Sequence, residues 1–208
     1  MELEQILSPN QLNFIVGSDT LVEEHIPGIP GDIFIRKFIH NPDYNPKRIA
    51  KEFVKFNERC LITLLGDMRS YNFVMQITPD FDDYQFRIRC IDFDQQCYEG
   101  NMKVYLPQFF KENFQFVKLG LDNLTEKTFL QYQQEEQSSI LHRMRSGKRR
   151  LADLYAVVRQ DQSVPDNNVI RLRAEMAAHF GDPQYLKCQH MADIIKHNLK
   201  RVVRNVRL

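Results

Sequence analysis

Between Asn45 and Leu65 apolar side chains recur at helical spacing, at Ile49, Phe53, Phe56, Cys60 and Leu64, and this stretch constrains the fold more than any other. Asn45 suits the N-cap and Pro46 the first helical position, where an amide hydrogen would have no intrahelical acceptor. Gly66-Asp67 stops the pattern. A helix with one long apolar stripe must bury it, so the flanking segments have to supply a core.

After the helix the period changes. Phe73 to Ile77 is apolar, TPDFDD reads as a turn, and Tyr84 to Phe93 alternates as YQFRIRCIDF, predicting a hairpin that delivers Asn72 and Asp92 to neighbouring strand ends. Upstream, Leu12 to Val16 and Thr20 to His25 are β-favouring runs around Gly17-Ser18-Asp19, the punctuation of a second hairpin. Beyond residue 107 the signal is helical: FFKENFQFVK, LTEKTFLQYQQEEQSSILHRMR, RRLADLYAVVRQ, NVIRLRAEMAAHF and a last segment entered by Asp182-Pro183. Gly181 sits where a helix end wants it, and the last segment sets Leu186, Met191, Ile194, Ile195, Leu199, Val202, Val203 and Val206 on a broad apolar face. The fold class is α+β.

With 43% hydrophobic residues in 208, the chain can bury one sizeable core. No run of 18 apolar residues exists, and MELEQILSPNQ has neither the basic start nor the apolar run of a signal peptide, so no membrane partner is expected. Cys60, Cys90, Cys97 and Cys188 form no CxxC pair, which suits thiols in a reducing compartment; the expected address is cytoplasmic. The net charge of +1 hides an asymmetry: residues 1–100 carry 10 basic and 16 acidic side chains, residues 101–208 carry 18 and 11. An acidic half that meets phosphates through metal ions, a basic half that meets them directly, or simple attraction between the halves would each produce it.

GxSxG, HExxH, CxxC and GxGxxG are absent, and Gly147-Lys148 lacks the remaining residues of a P-loop. His190 and His197 fall two helical turns apart, about 10 Å by helical rise and too far to share a metal. What remains is LLGDMRSYNFVM followed by IRCIDFD. Asp67 and Asn72 sit in a loop leaving the long helix, and Asp92 ends a strand that returns beside them. Two carboxylates, an amide and Arg69 are the groups that metal-assisted phosphoryl transfer needs. The D-x-x-x-x-N spacing alone is weak, since Asp193 and Asn198 repeat it. Read singly, Asp67 is a helix-terminating residue, Asn72 a strand-entry cap and Asp92 a surface acid.

GDMRSYN, a hairpin and IDFD in that order resemble the catalytic and metal-binding loops of the protein-kinase-like superfamily, nearest the aminoglycoside and small-molecule phosphotransferase branch. Gly66, Asp67, Asn72, Ile91, Asp92 and Phe93 match, while Leu65 replaces the usual histidine. The resemblance implies Asp67 as catalytic base, Arg69 as phosphate contact, Asn72 and Asp92 as magnesium ligands, and ATP and Mg2+ as cofactors. TLVEEHIPG resembles the strand and hinge between the two lobes, so backbone groups of Glu23, Glu24, His25 and Ile26 would meet adenine. Residues 1–28 would then be the last hairpin of a small lobe and its hinge, and 29–208 a mostly helical large lobe with its catalytic-loop hairpin at 65–94. About twenty residues separate Asn72 from Asp92, more than the family norm, which predicts an enlarged turn at TPDFDD. The glycine loop, strand lysine and partner glutamate of a small lobe should lie upstream, where only about ten residues stand, so the small lobe is largely missing. The implied reaction is magnesium-dependent transfer of the terminal phosphoryl group of ATP to a hydroxyl-bearing acceptor, slow or absent unless a partner or further segment completes the small lobe.

Two other function classes stand beside it. Arg143, Arg145, Lys148, Arg149 and Arg150, with Lys196, Lys200, Arg201, Arg204 and Arg207 in the tail, form a basic stripe that could follow a nucleic-acid backbone, but no aromatics interleave for base stacking. A non-catalytic, pseudokinase-type interaction module would use the apolar face of the last helix.

Overall fold

The computed structural model describes residues 1–10, 12–161 and 163–207. Helix α1 (Glu2–Leu7) precedes a small hairpin, β1 (Phe14–Val16) and β2 (Leu21–Glu23). Strand β3 (Ile29–Pro30) and helix α2 (Gly31–Lys37) lead to the long helix α3 (Pro46–Thr63), which is followed by β4 (Phe73–Asp80) and β5 (Asp83–Cys90). Three 3-10 turns between Met102 and Asn113 then open an all-helical remainder: α4 (Phe114–Asn123), α5 (Glu126–Ser146), α6 (Lys148–Val158), α7 (Asp166–Phe180) and α8 (Met191–Arg207). The fold is α+β, with two small antiparallel sheets. Among the described residues no helix is long and apolar enough to cross a membrane.

Helix α3 starts as its sequence predicts, with Asn45 Oδ1 accepting from the Lys47 amide at 3.0 Å and Pro46 at the first position. It serves two cores. Ile49, Phe53, Phe56 and Cys60 pack with Phe34 of α2, Phe73 and Ile88 of the sheet and Phe116 of α4. Leu61, Ile62 and Leu64 instead join α1, α5, α7 and α8 through Leu7, Ile140, Leu172 and Ile195. Phe116 stacks on Phe53 at 5.1 Å and on Phe34 at 5.9 Å, which locks the first of these cores around aromatic rings.

The second hairpin departs from expectation in a useful way. Instead of an enlarged turn at TPDFDD, the ladder runs on to Asp80↔Asp83 and closes over Phe81-Asp82 alone. Arg48 of α3 explains the tightness: it reaches Asp80 at 3.1 Å and Asp83 at 3.0 Å, offsetting the repulsion that would otherwise separate the facing carboxylates. The extra sequence therefore lengthens the strands. The first hairpin is shorter than its two apolar runs predict; Leu12 is buried outside the strand, and the Glu24 amide extends the pairing by donating to Asn13 O at 2.9 Å. Beyond residue 107, the first predicted helix is delayed to Phe114 by the 3-10 turns, while Gly181 ends α7 at φ 59° as expected.

Between the two cores lies a buried charge cluster. Arg59, on α3 and 1% exposed, donates to Glu136 of α5 at 2.7 Å and lies 3.7 Å from Glu52. Glu4 of α1 faces the same guanidinium from a buried position, with the Ser8 side chain beside its carboxyl. Desolvation pushes the Glu4 and Glu52 carboxyls up from their usual range, and Arg59 only partly offsets it. Burial alone would lower the Arg59 pKa, but Glu136 foremost, with Glu4 and Glu52, raises it. Most of the ion pairs between the two halves run against their net charges. Arg59 to Glu136, Lys51 and Lys55 to Glu135, and Arg69 to Glu112 all set a base of the acidic half against an acid of the basic half; Arg150 to Glu2 is the reverse case.

Removing one partner of a buried pair costs about 3–5 kcal/mol, so Arg59→Met is expected to lower the unfolding free energy by that amount in urea titrations. For Glu4 the folded pKa lies above the unfolded value, so its contribution is present below about pH 4.5 and is lost as pH rises through the folded pKa. Glu4→Gln should therefore raise the melting temperature at pH 7, and the gain should fade as the pH is lowered into the usual carboxylate range.

Candidate functional site

The site begins where α3 ends. Leu64 takes the left-handed conformation at φ 51°. Leu65 forms a single antiparallel bridge to Gln96, supported by Cys97 N donating to Leu64 O at 2.8 Å and Gly66 N to Gln95 O at 3.3 Å. This close approach explains Gly66: a Cβ there would lie 2.7 Å from Gln95 O and 3.0 Å from Val104 Cγ1.

Asp67 is the second strained residue, at φ 55°, a conformation that non-glycine residues rarely adopt and that aspartate tolerates better than most. Its carbonyl gathers the loop, accepting from Arg69 N at 2.8 Å and from Asn72 Nδ2 at 2.8 Å, while Asn72 N donates to Arg69 O at 2.8 Å. The four-residue spacing is thus a closed turn, with Asn72 bonded back onto the residue that opens it. Two neighbours hold it: the buried Asn113 donates from Nδ2 to Met68 O at 2.8 Å, and the Asp32 amide donates to Ser70 O at 3.0 Å.

Asn72 also joins the loop to the returning strand, because its carbonyl accepts from Ile91 N at 3.1 Å, one step beyond the Phe73↔Cys90 pair. Asp92 follows directly. Strand β5 ends at Cys90, two residues short of Asp92, whose Oδ1 accepts from the Asp94 amide at 3.1 Å. The amide nitrogen of Asn72 is committed to Asp67, and its Oδ1 takes no hydrogen bond among the described residues; the same holds for Asp92 Oδ2. These are hard oxygen donors of the kind magnesium prefers, with one carboxylate and one amide oxygen from adjoining chain segments. Among the described residues no group of three His, Cys, Asp or Glu side chains could hold a metal by itself.

Arg69 is more tightly held than the sequence foretells. Its Nε donates to Asp67 Oδ1 at 2.7 Å, its Nη1 to Glu112 Oε1 at 3.2 Å, and its guanidinium lies over the Phe110 ring at 5.1 Å. The bond to Asp67 raises its pKa above the usual arginine value. Glu112 and Phe110 were missed in the sequence: LPQFFKEN carries no local pattern that ties it to a loop forty residues upstream.

Glu23, Glu24 and His25 are exposed, and Glu24 Oε2 accepts from Asn13 Nδ2 at 2.6 Å. Ile26 is buried with Leu12 and Val74, and Phe93 packs against the same cluster. Ile26, of the segment read as a hinge, and Phe93, of the IDFD loop, thus belong to one small apolar cluster. Beyond that loop, a cavity of about 830 Å3 opens between Asp94, Gln96, Cys97, the α1 start and the residues before α7.

The weaker sequence candidates prove structural. Asp193 accepts from the amides of Gln189 and His190 at the start of α8, and Asn198 donates to Leu61 O and Ile62 O, both at 3.1 Å. His197 pairs with Asp182 at 2.9 Å. Of the basic stripe, Arg143 donates to Gln5 O, Arg150 contacts Glu2 and Gln5, Arg201 lies over Phe180, and Arg204 bonds Asp182. The Arg207 side chain lies outside the described residues.

The chain matches no family model, no curated protein and no solved structure. The functional reading therefore rests on the geometry. Because overpacking costs about 1–3 kcal/mol, Gly66→Ala should lower stability by that amount in urea and speed hydrogen exchange at Leu65 and Cys97, where the bridge would open.

Proposed function

We propose that this chain carries the large lobe of a protein-kinase-like phosphotransferase, with its nucleotide site between the Glu23–Ile26 segment and the Asp67–Asn72 and Asp92 loops. The observation that carries the reading is the double engagement of Asn72, side chain to Asp67 O and backbone to Ile91, which ties the Asp67–Asn72 loop to the segment that leads into Asp92. Backbone groups of Glu23 to Ile26 would meet adenine, with Ile26 and Phe93 supplying apolar contact. Asn72 Oδ1 and Asp92 would hold magnesium, which when bound offsets charge on the transferring phosphoryl group.

Asp67 orients the acceptor hydroxyl and takes its proton on Oδ2, which Arg69 does not engage and Asn72 Nδ2 approaches only at 3.5 Å. The acceptor oxygen then bonds to the terminal phosphorus as the bridging oxygen departs with ADP. No Lys or Arg precedes Glu23, and residues 2–7 form α1 against the helical body, so these residues supply neither the strand lysine nor the phosphate-covering loop. Arg69, neutralised by two carboxylates, replaces little of that missing charge. The expected behaviour is nucleotide binding with low turnover, raised by a partner or further segment that completes the small lobe. The same two features favour, as a second reading, a nucleotide-binding module without turnover.

Thermal unfolding with ATP and magnesium tests both. At 100-fold excess over Kd the native state gains about 2.7 kcal/mol, and each kcal/mol moves the midpoint of a chain this size by about 2–4 °C. The expected shift requires nucleotide and magnesium together, is lost in Asp92→Ala, and survives in Asp67→Asn. Turnover in the parent that disappears in Asp67→Asn supports the phosphotransferase; no turnover in either, with the shift intact, supports the module. An unchanged shift in Asp92→Ala would remove the metal-ligand assignment.

A further inference from the structure

Helix α6 is seated differently from the other helices. Its apolar residues Leu151, Leu154 and Val158 turn toward Ile195, Leu199 and Val203 of α8, yet no residue of α6 is fully buried. A groove of about 320 Å3 remains between the two helices, within the range of small-molecule sites and walled almost entirely by carbon. Its exposed rim includes Ala152, and Lys148 stands at one end.

At the other end the groove meets a second, polar cleft of about 410 Å3, and Tyr155, Lys196 and Lys200 line both. Arg159 and Lys187 complete the cleft's cations. Among the described residues, none of Arg159, Lys187, Lys196 and Lys200 forms an ion pair within 4 Å of a carboxylate; Arg159 acts on Asp193 only at longer range, and Lys196 lies over the Tyr155 ring at 4.4 Å. The carboxylate that faces them, Asp193, is engaged by the Tyr155 hydroxyl at 2.7 Å and by two backbone amides, and His197 is paired with Asp182. Four cations around one polar cleft leave a local excess of positive charge that water must screen, and an apolar groove runs directly out of it.

We propose that the groove and cleft together form a binding site for a single-chain amphiphile with a phosphate head: the acyl chain lies between α6 and α8, and the head sits among Arg159, Lys187, Lys196 and Lys200. The order of the two regions selects this class. A nucleic acid would use the cations and leave the groove open. An acidic amphipathic helix carries its apolar stripe along its whole length with charge on both flanks, whereas here α6 contributes only Tyr155 and Arg159, at its C-terminal end, to the cationic cleft. The site shares no residue with the Asp67–Asn72 loop or with Asp92, so it stands apart from the phosphotransferase reading.

The test uses the full chain and dodecyl phosphate below its micelle concentration, titrated by calorimetry. Inorganic phosphate provides the head alone and dodecyl maltoside the chain with a neutral head. Dodecyl phosphate is expected to bind with 1:1 stoichiometry, at least tenfold more tightly than either control. Two variants probe the two regions from exposed positions: Lys196→Gln with Lys200→Gln removes head contacts, and Ala152→Trp fills the groove from its rim. Each should weaken dodecyl phosphate at least tenfold while keeping the ligand-free melting temperature of the parent. Equal binding of dodecyl maltoside, equal binding of inorganic phosphate, no binding of dodecyl phosphate, or affinity unchanged in both variants would overturn the proposal. So would displacement of dodecyl phosphate by an acidic amphipathic peptide that binds more tightly and loses affinity in Ala152→Trp.

Discussion

Arg59 is the group on which the other parts of this structure converge. It belongs to α3, which faces both hydrophobic cores, and its guanidinium meets carboxylates from α5 and α3 with Glu4 of α1 facing it. A buried cation with three acids around it is not a source of stability in itself, because desolvation opposes most of the Coulomb gain. Its consequence is geometric. No rearrangement of α1, α3 or α5 can leave that charge unpaired in a dry interior, so the packing of those helices has few alternatives.

The same residue reaches the functional loops. Arg59 Nη2 lies 3.4 Å from Ile88 O, and Glu52, one of its acids, accepts from Ile88 N at 2.9 Å, so α3 grips β5 near the end of that strand. The C-terminus of α3 becomes the Leu64–Asn72 loop, and the end of β5 becomes the Asp92 loop. Holding helix against strand therefore holds the two loops against each other. Within that frame Leu64 and Asp67 both keep positive φ, and strain of this kind persists only where surrounding bonds over-determine the backbone. Here the determinants are the bridge from Leu65 to Gln96 and the contacts of Met68 and Ser70 with Asn113 and Asp32.

Much of this was legible in the sequence because it depends on period and punctuation. Asn45-Pro46 and the apolar stripe to Leu64 located α3 almost to the residue, and alternation located the second hairpin and the pairing of Asn72 and Asp92 ends. Helices α1 and α2, with six and seven residues, are too short to display a helical period, and both went unread. Arg59 was hidden for another reason: an arginine in a helical pattern reads as solvent-facing, and only Glu136, far along the chain, reverses that. The tight Phe81-Asp82 turn depended on Arg48 in the same way. Glu112 beneath Arg69 is the corresponding gap in the site, since partners brought by tertiary packing leave no trace in local spacing.

The central claim is that the Asp67–Asn72 loop, Asp92 and the Glu23–Ile26 segment form one nucleotide site. Hydrogen–deuterium exchange, followed by peptide with and without magnesium and a non-hydrolysable ATP analogue, addresses it most directly, because ligand binding slows exchange in the segments it orders. The account predicts protection in residues 21–28, 66–73 and 91–97, all three together and only when magnesium and nucleotide are both present. Exchange unchanged in all three segments at saturating nucleotide, or protection confined to α6, α7 and α8, would contradict it.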